Sequence, residues 1–329
     1  MDKADRPSEV NLTNLDQPLF EDAEVSKGDL VDYLDAVRDR LLPELTDRPL
    51  SVLRVLRGQQ PFMQKNLPKY APEWVRTARI WAQASRREVA YPLCNDRRTL
   101  LWLANQRAVE YHPALFRIGH HERPSHLVLD LDPPQEGGFA LAVRAAGLVR
   151  EVLATAGLVG HVKTSGAKGV HIYVPVSATH HEVAAATRAL AARAERLDPD
   201  LATTAFIREE RAGRVFVDAT RAYGATVVAA YSPRVRPGAT VSFPVRWGDL
   251  DRVSPADFTV RTVPDLLRNA DHWHTQVPAQ SLDADLVGEG EAIPAARVQA
   301  MHEGKRRARE RVAEVSDEDR PGGGRPEGR

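Results

Sequence analysis

The stretch HLVLDLDPP, residues 126–134, decides how this chain is read. Apolar and polar residues alternate along it, which predicts a β-strand, and the alternation puts Asp130 and Asp132 on one face with Leu129 and Leu131 on the other. Two carboxylates side by side repel unless a cation lies between them or one holds a proton. Paired divalent ions are what phosphoryl transfer exploits. Pro133 and Pro134 end the strand at once and set the pair at its mouth. Read alone, the pattern fits solvated turn acids better than metal ligands, because acids ahead of a double proline are common turn chemistry.

Downstream, FALAVRAAGLVREVLATAG (139–157) predicts a helix that stops at Gly157, followed by a strand in LVGHVKTSG and another in GVHIYVPV. HEVAAATRALAARAERL (181–197) predicts a long Ala-rich helix. RVFVDATR (214–221) and ATVVAAYS (225–232) are strand-like runs on either side of a turn at Gly224. This alternation indicates an α/β domain. Asp218 ends the apolar run RVFVD, and strands delivering acids to one end of a sheet would complete a three-carboxylate site suited to Mg²⁺ or Mn²⁺. Between two of the strands, KTSGAKGVHIYV gathers Ser165, two glycines, Lys168 and His171. Glycines let backbone N–H groups turn toward an anion, and Lys168 adds a charge. The GxxxxGK[ST] spacing is absent and the loop enters a strand, which disfavours a P-loop ATPase.

Upstream, EVSKGDLVDYLDAVRDRLLPEL (24–45) has helical spacing, with Ser26 as cap and Asp29 three residues on. RPLSVLRVLRG (48–58) and RREVAYPLC (86–94) read as strands, and TLLWLANQRAVEYH (99–112) as a mostly buried helix. The first stretch, to about Asn14, is polar and loose. Beyond Met301 the chain turns charged-helical and then Gly/Pro-rich, which predicts disorder over the last fifteen or so residues.

The chain has 329 residues, 43% of them hydrophobic, enough for one large domain or two modest ones. Its 45 basic residues balance 45 acidic ones, so no global positive field announces a nucleic-acid partner, although a local basic groove can hide in a neutral total. The single cysteine, Cys94, excludes a disulfide framework and a thiolate-rich zinc site. Neither a long apolar run nor a secretory signal is evident, so a soluble cytoplasmic protein with no membrane partner is expected.

Taken together, LVLDLDPP, KTSGAKGVHIYVPV and RAGRVFVDATRAYGATVVAAYSPR, in this order and spacing, resemble the polymerase domain of bacterial ligase D, a branch of the archaeo-eukaryotic primase superfamily that includes stand-alone primase-polymerases. The resemblance runs from about Leu12 to about Asp283. It implies an α+β fold, with an RRM-like mixed or antiparallel sheet and flanking helices plus an N-terminal α/β module. The corresponding division is a primase-polymerase domain over 1–305, with a DNA-docking module at about 12–110 and a catalytic core at about 111–300, and a tail at 306–329. The resemblance also implies metal-ligand roles for Asp130, Asp132 and Asp218, with two Mn²⁺ or Mg²⁺ ions and no zinc. Nucleotide contacts fall to His112, Ser165, Lys168, His171, Arg211 and Arg234, and DNA contacts to Asn14, Lys27, Arg54, Phe62 and Lys65. Asn14 and Lys27 match positions that hold a downstream 5′-phosphate, and Phe62 one that stacks near the template.

Several positions depart from the family pattern. Gln17 stands where many relatives carry lysine, Met63 replaces a second aromatic, Leu53 occupies a position that is often basic, and Arg221 replaces a frequent glutamine beside the nucleotide. The implied reaction is attack of a primer 3′-hydroxyl on a nucleoside triphosphate, ribonucleotides included, in short gap filling or end joining near the bacterial nucleoid. Implied partners are gapped or broken DNA, Ku, and an ATP-dependent ligase expected on a separate polypeptide because the match ends near Asp283. The alternatives are a non-catalytic module that bridges DNA ends, a primase that starts strands de novo, and a phosphotransferase unrelated to nucleic acid.

Overall fold

The computed structural model describes residues 10–82, 86–221, 226–268 and 277–294. A boundary in the chain falls between Ile293 and Pro294, and the architecture here is that of the first unit. The tail expected at 306–329 lies outside the described residues.

Capping chemistry starts the helices. The Ser26 hydroxyl accepts the Asp29 N–H while the Asp29 carboxylate accepts the Ser26 N–H, which fixes the start of α1 (Lys27–Ala36). The single helix expected over 24–45 is two, because Val37 leaves helical geometry with ψ at 4° and α2 (Arg38–Leu45) restarts after it. β1 (Leu50–Arg54) pairs antiparallel with β2 (Phe62–Gln64) and with β5 (Ala108–Pro113), in the order β2-β1-β5. β3 (Thr77–Ala82) and β4 (Arg87–Pro92) form a separate hairpin.

The helix expected over 99–112 is a helix only in its first half. α3 (Arg97–Asn105), capped by Asp96, ends where Arg107 adopts a left-handed φ of 62°. The β-branched and aromatic run that follows becomes β5, since its backbone groups find β1.

The second sheet holds the centre of the molecule. β6 (His126–Asp132), β7 (His161–Thr164), β8 (Val170–Pro175), β9 (Ala202–Thr203), β10 (Val215–Asp218) and β11 (Pro244–Val245) stand in the order β11-β7-β8-β6-β10-β9, and only β9 and β10 run parallel. The α/β reading taken from alternation alone is thus corrected to α+β: consecutive helices and strands here feed an antiparallel sheet rather than parallel crossovers. α4 (Gly138–Thr155) and α5 (His180–Leu197) cover one face of this sheet. Leu127, Leu129, Leu131, Val162, Ile172 and Val174 belong to one core that reaches from Leu19 to Leu286. Each fully buried aliphatic there contributes roughly 1.5–3 kcal/mol.

Residues 226–232, expected to be a strand, are a buried connecting segment. Their backbone bonds divide between two elements, Ala229 N–H to Tyr111 O and Tyr231 N–H to Ser242 O, and Tyr231 sits at a φ of 64°. α6 (Val263–Leu267) and α7 (Ala284–Ala292) complete the unit. Among the described residues no helix is long and apolar enough to cross a membrane.

α7 crosses α5 so closely that a Cβ built on Gly290 would stand 1.8 Å from the Ala185 carbonyl oxygen. Both groups are helix backbone and cannot turn aside. Gly290→Ala is therefore expected to destabilise the protein by about 1–3 kcal/mol, read as a fall in Tm of roughly 3–10 °C by circular dichroism. An unchanged Tm would contradict this contact.

Candidate active site

The registers of the second sheet align a row of titratable groups. Lys163 on β7 is opposite His171 on β8, His171 is opposite Asp130 on β6, and Asp130 is opposite Asp218 on β10. Directly opposed residues share a face, so all four project from one side of the sheet, away from α4 and α5. The Lys163 amine lies 2.9 Å from His171 Nδ1 and donates to Ser242 Oγ at 2.5 Å, and His171 Nε2 stands 3.2 Å from Asp130 Oδ1. Burial, reinforced by Lys163, pushes the His171 imidazole down to about 4. It is neutral near pH 7, and a donor at Nδ1 leaves its remaining proton on Nε2, aimed at the carboxylate. Burial works against ionising Asp130, but His171, Arg221 and Lys163 outweigh it and hold the carboxyl well below the usual range. Burial and Arg234 push the Lys163 amine well below the ordinary lysine value.

Each carboxylate meets a cation. Asp132 has Arg211 Nη1 at 3.1 Å and the Lys168 amine at 3.6 Å. Asp218 Oδ1 accepts both the N–H and the hydroxyl of Thr220, at 2.8 and 2.6 Å. Arg221 bridges the other two acids, 3.1 Å from Asp130 Oδ2 and 2.9 Å from Asp218 Oδ2. The oxygen donors and their shared face suit a hard divalent ion. With the guanidinium between them, however, the described residues contain no cluster of three or more acids, histidines or cysteines spaced to hold one.

The loop from Ser165 to Gly169 closes the β7–β8 hairpin over this row. The Ser165 hydroxyl accepts the N–H groups of Ala167 and Gly169, so it organises the loop. Gly166 has a φ of 68°, and a Cβ there would meet Arg234 and the backbone of Val241 and Ser242 below 3 Å. A Cβ on Gly169 would stand 2.5 Å from the Leu131 carbonyl oxygen. Only glycine lets the loop lie this close to β6. Asp130, Asp132, Asp218, Ser165, Lys168, His171, Arg211, Arg221, Arg234 and Arg236 line one cleft of about 440 Å³. The guanidinium of Arg211 is also stacked 3.9 Å from the centre of the Phe216 ring, which fixes it beside Asp132.

His112 does not line this cleft and acts at one remove. Its Nε2 lies 2.8 Å from Glu110 Oε2, and the other Glu110 oxygen accepts the Val235 N–H and faces Arg234 Nε at 3.1 Å. Arg234 also donates to the Ser165 carbonyl. Glu110 thus ties β5 to the Ser165–Gly169 loop. Lys163, Glu110, Thr220 and Arg236 escaped the sequence reading. Glu110 and His112 share a face only if their segment is a strand, and a helical reading separates them; Lys163 stands two residues before Ser165 on a strand whose alternation pointed to it.

The DNA-docking candidates lie outside the cleft. Arg54 and Phe62 are cross-strand partners on β1 and β2, with the guanidinium 5.8 Å from the ring centre, and Phe62 and Lys65 are exposed. Arg54 itself is buried and donates to Gln106 O, Gln64 Oε1 and the Tyr70 hydroxyl. Asn14 is exposed, at a left-handed φ of 53°. Lys27 is buried, and its amine donates to Thr13 O at 2.5 Å and Asn105 Oδ1 at 2.7 Å, pinning the N-terminal segment to α3. Leu53 and Met63 form an apolar cross-strand pair in the same row as Glu110.

Burial opposes ionisation of Glu110, yet the His112 bond, the Arg234 charge and the Val235 N–H hold its carboxyl down to about 2, from an ordinary 4.5. A lowered folded value means stability that is complete above about 4.5 and lost as pH falls through about 2. Glu110→Gln is expected to cost about 3 kcal/mol at pH 7, the gap from wild type shrinking as pH falls from the first value toward the second. Urea unfolding across that range checks it, and a gap that stays constant would contradict the assignment.

A family model described as LigD, primase-polymerase domain, matches residues 26–274. The bifunctional non-homologous end joining protein LigD of Bacillus subtilis (strain 168) is 34% identical over 266 residues, covering 79% of this chain and 42% of that protein. The multifunctional non-homologous end joining DNA repair protein LigD of Mycobacterium tuberculosis (strain ATCC 25618 / H37Rv) is 33% identical over 255 residues, covering 74% of this chain and 33% of that protein. The chain spans less than half the length of these two relatives. Among solved structures, the polymerase domain from Mycobacterium tuberculosis ligase D in complex with DNA superposes with a TM-score of 0.73 at 32% identity, covering 80% of this chain and 96% of that one. The sheet registers, the Ser165–Gly169 loop and the acid row thus lie within a sequence match that takes in most of the molecule, and the chain belongs to the LigD primase-polymerase domain family.

Proposed function

We propose that this chain is a metal-dependent nucleotidyltransferase that extends a 3′-hydroxyl on a DNA template, filling short gaps or joining ends during break repair. The observation that carries the reading is the cross-strand pairing of Asp218 with Asp130, two residues from Asp132, in a cleft also lined by Lys168, Arg211, Arg221, Arg234 and Arg236. The printed names of the relatives point to non-homologous end joining, and the solved neighbour was captured with DNA. On this reading the partners are gapped or broken primer-template DNA and nucleoside triphosphates, with Ku and an ATP-dependent ligase alongside.

Asp130, Asp132 and Asp218 would hold two Mn²⁺ or Mg²⁺ ions, which when bound make the 3′-hydroxyl more acidic and neutralise charge on the triphosphate. Lys168, Arg234 and Arg236 supply the cationic wall for the triphosphate. Neutral His171, set by Lys163, keeps Asp130 oriented with its second oxygen toward the cleft. The stacked Phe216 and the buried strands behind it exclude water from one side. For DNA, exposed Phe62 offers a face on which a base can stack, whatever its identity, and exposed Lys65, three residues on, offers a charge for backbone phosphate.

Primer extension on nicked, gapped and 3′-overhang duplexes, with ribo- and deoxynucleotides and each metal in turn, tests the reading. Asp130→Ala and Asp218→Ala are each expected to lower extension by on the order of 10³-fold or more while leaving duplex affinity nearly unchanged. Extension that persists in both variants would sink the metal assignment. Wild type that binds gapped DNA without extending it would make the chain an end-bridging module.

A further inference from the structure

Arg221 lies just beyond β10, three residues after Asp218, and turns its guanidinium back over the acid row. Nη2 stands 3.1 Å from Asp130 Oδ2 and Nε 2.9 Å from Asp218 Oδ2. The remaining oxygens of the two carboxylates are engaged, Oδ1 of Asp130 by His171 and Oδ1 of Asp218 by Thr220. The oxygens that face Arg221 are therefore those open to an incoming cation. Nε makes no aligned hydrogen bond despite its short approach, so this contact is held by charge more than by direction. The side chain is 37% exposed, which leaves it room to swing into the cleft.

A guanidinium and a divalent ion cannot share these two oxygens, since both are cations and the space between the carboxylates admits one of them. A nucleoside triphosphate offers an alternative partner, because phosphate oxygens accept the guanidinium fork in the paired geometry that it favours. We propose that Arg221 is an internal counter-ion that closes the Asp130–Asp218 pair to a divalent ion until a nucleoside triphosphate draws it away, so that metal and nucleotide are taken up together. The proposal rests on the metal reading of the three aspartates. The coupling is reciprocal: whatever the nucleotide gains by taking Arg221, the ion gains by finding its oxygens free.

Mn²⁺ titration followed by electron paramagnetic resonance, on wild type, Arg221→Gln and Arg221→Lys without DNA, measures this directly. Without nucleotide, Arg221→Gln is expected to bind Mn²⁺ about 10-fold or more tightly than wild type, within the usual range of site coupling, while Arg221→Lys stays near wild type. Adding a non-hydrolysable nucleoside triphosphate should tighten Mn²⁺ binding in wild type far more than in Arg221→Gln. Removing the guanidinium leaves two carboxylates facing each other, so Mn²⁺ alone should raise the Tm of Arg221→Gln more than that of wild type. Equal Mn²⁺ affinities in wild type and Arg221→Gln, with Asp130→Asn still weakening binding in both, would overturn the counter-ion role and leave the metal site standing. Mn²⁺ binding indifferent to both Asp130→Asn and Asp218→Asn would overturn the metal reading and the proposal with it.

Discussion

The antiparallel register across β7, β8, β6 and β10 is the constraint on which the rest depends. It sets Lys163, His171, Asp130 and Asp218 in one line, each the direct neighbour of the next. A slip of one residue in β6 would send Leu129 and Leu131 into the cleft and both aspartates into the core. The slip is prevented on the other face, where Leu127, Leu129, Leu131, Val162, Ile172 and Val174 are almost wholly buried under α4 and α5. Hydrophobic packing on one side of the sheet thus holds in place like charges that would otherwise move apart. The line works only because its members alternate in character, an amine beside an imidazole and an imidazole beside a carboxylate. The one like-charged neighbour pair, Asp130 with Asp218, is where Arg221 sits.

The two sheets are joined by a segment that has little regular structure of its own. Between Thr226 and Phe243 the chain gives its hydrogen bonds to both sides: Ala229 N–H to Tyr111 O, the Ser232 hydroxyl accepting the Tyr111 N–H, and Phe243 O accepting the Thr164 N–H. Buried Tyr33 adds its hydroxyl to the Tyr231 carbonyl from α1. Arg234 and Val235 leave this segment at Glu110, so the electrostatic tie and the backbone tie coincide. The Ser165–Gly169 loop is therefore positioned from below by β6, through Gly169, and from the side by β5, through Glu110 and Arg234.

Much of this was legible in the amino-acid pattern. HLVLDLDPP, with its alternation ended by two prolines, is β6, and the Ser26–Asp29 cap and the Gly157 stop fall where expected. The misreadings have a common cause. The segment 99–112 carries helical chemistry up to Asn105 and strand chemistry after it, and only pairing with β1 shows where one gives way to the other. The run 225–232 is apolar and β-branched like a strand, but its residues 227–232 are buried outside any strand ladder, with only an isolated bridge from Thr226 to Ala114 beside them. For the site, residue types pointed to Lys168 and His171 and the family resemblance to Arg211 and Arg234, and all four line the cleft. Lys27 and Arg54 look like surface cations in the sequence, but both are buried and spend their donors inside the protein. Local spacing carries no record of Asn105 or Gln106 arriving as their acceptors.

On the proposed function, the cleft also accounts for how a chain with no net charge can present a site for an anion. Lys168 and Arg211 stand on Asp132, and Arg221 on Asp130 and Asp218, so the cations nearest the acids are spent on them. Arg236 has no such partner among the described ion pairs, and Arg234 is balanced from behind by Glu110, outside the cleft. On the proposed function, the charge that an incoming triphosphate would meet first is therefore this second group. The first group becomes available only when the carboxylates receive another cation, which on the proposed function is the divalent ion itself. On that proposal, the pairing of the acids in the resting cleft and affinity for a highly charged substrate have one origin, because Lys168, Arg211 and Arg221 would serve the acids in one state and the phosphates in the other. A basic groove built without the acids would hold phosphate permanently. On the proposed function, one built as ion pairs would release its cations only when both components of the reaction are present.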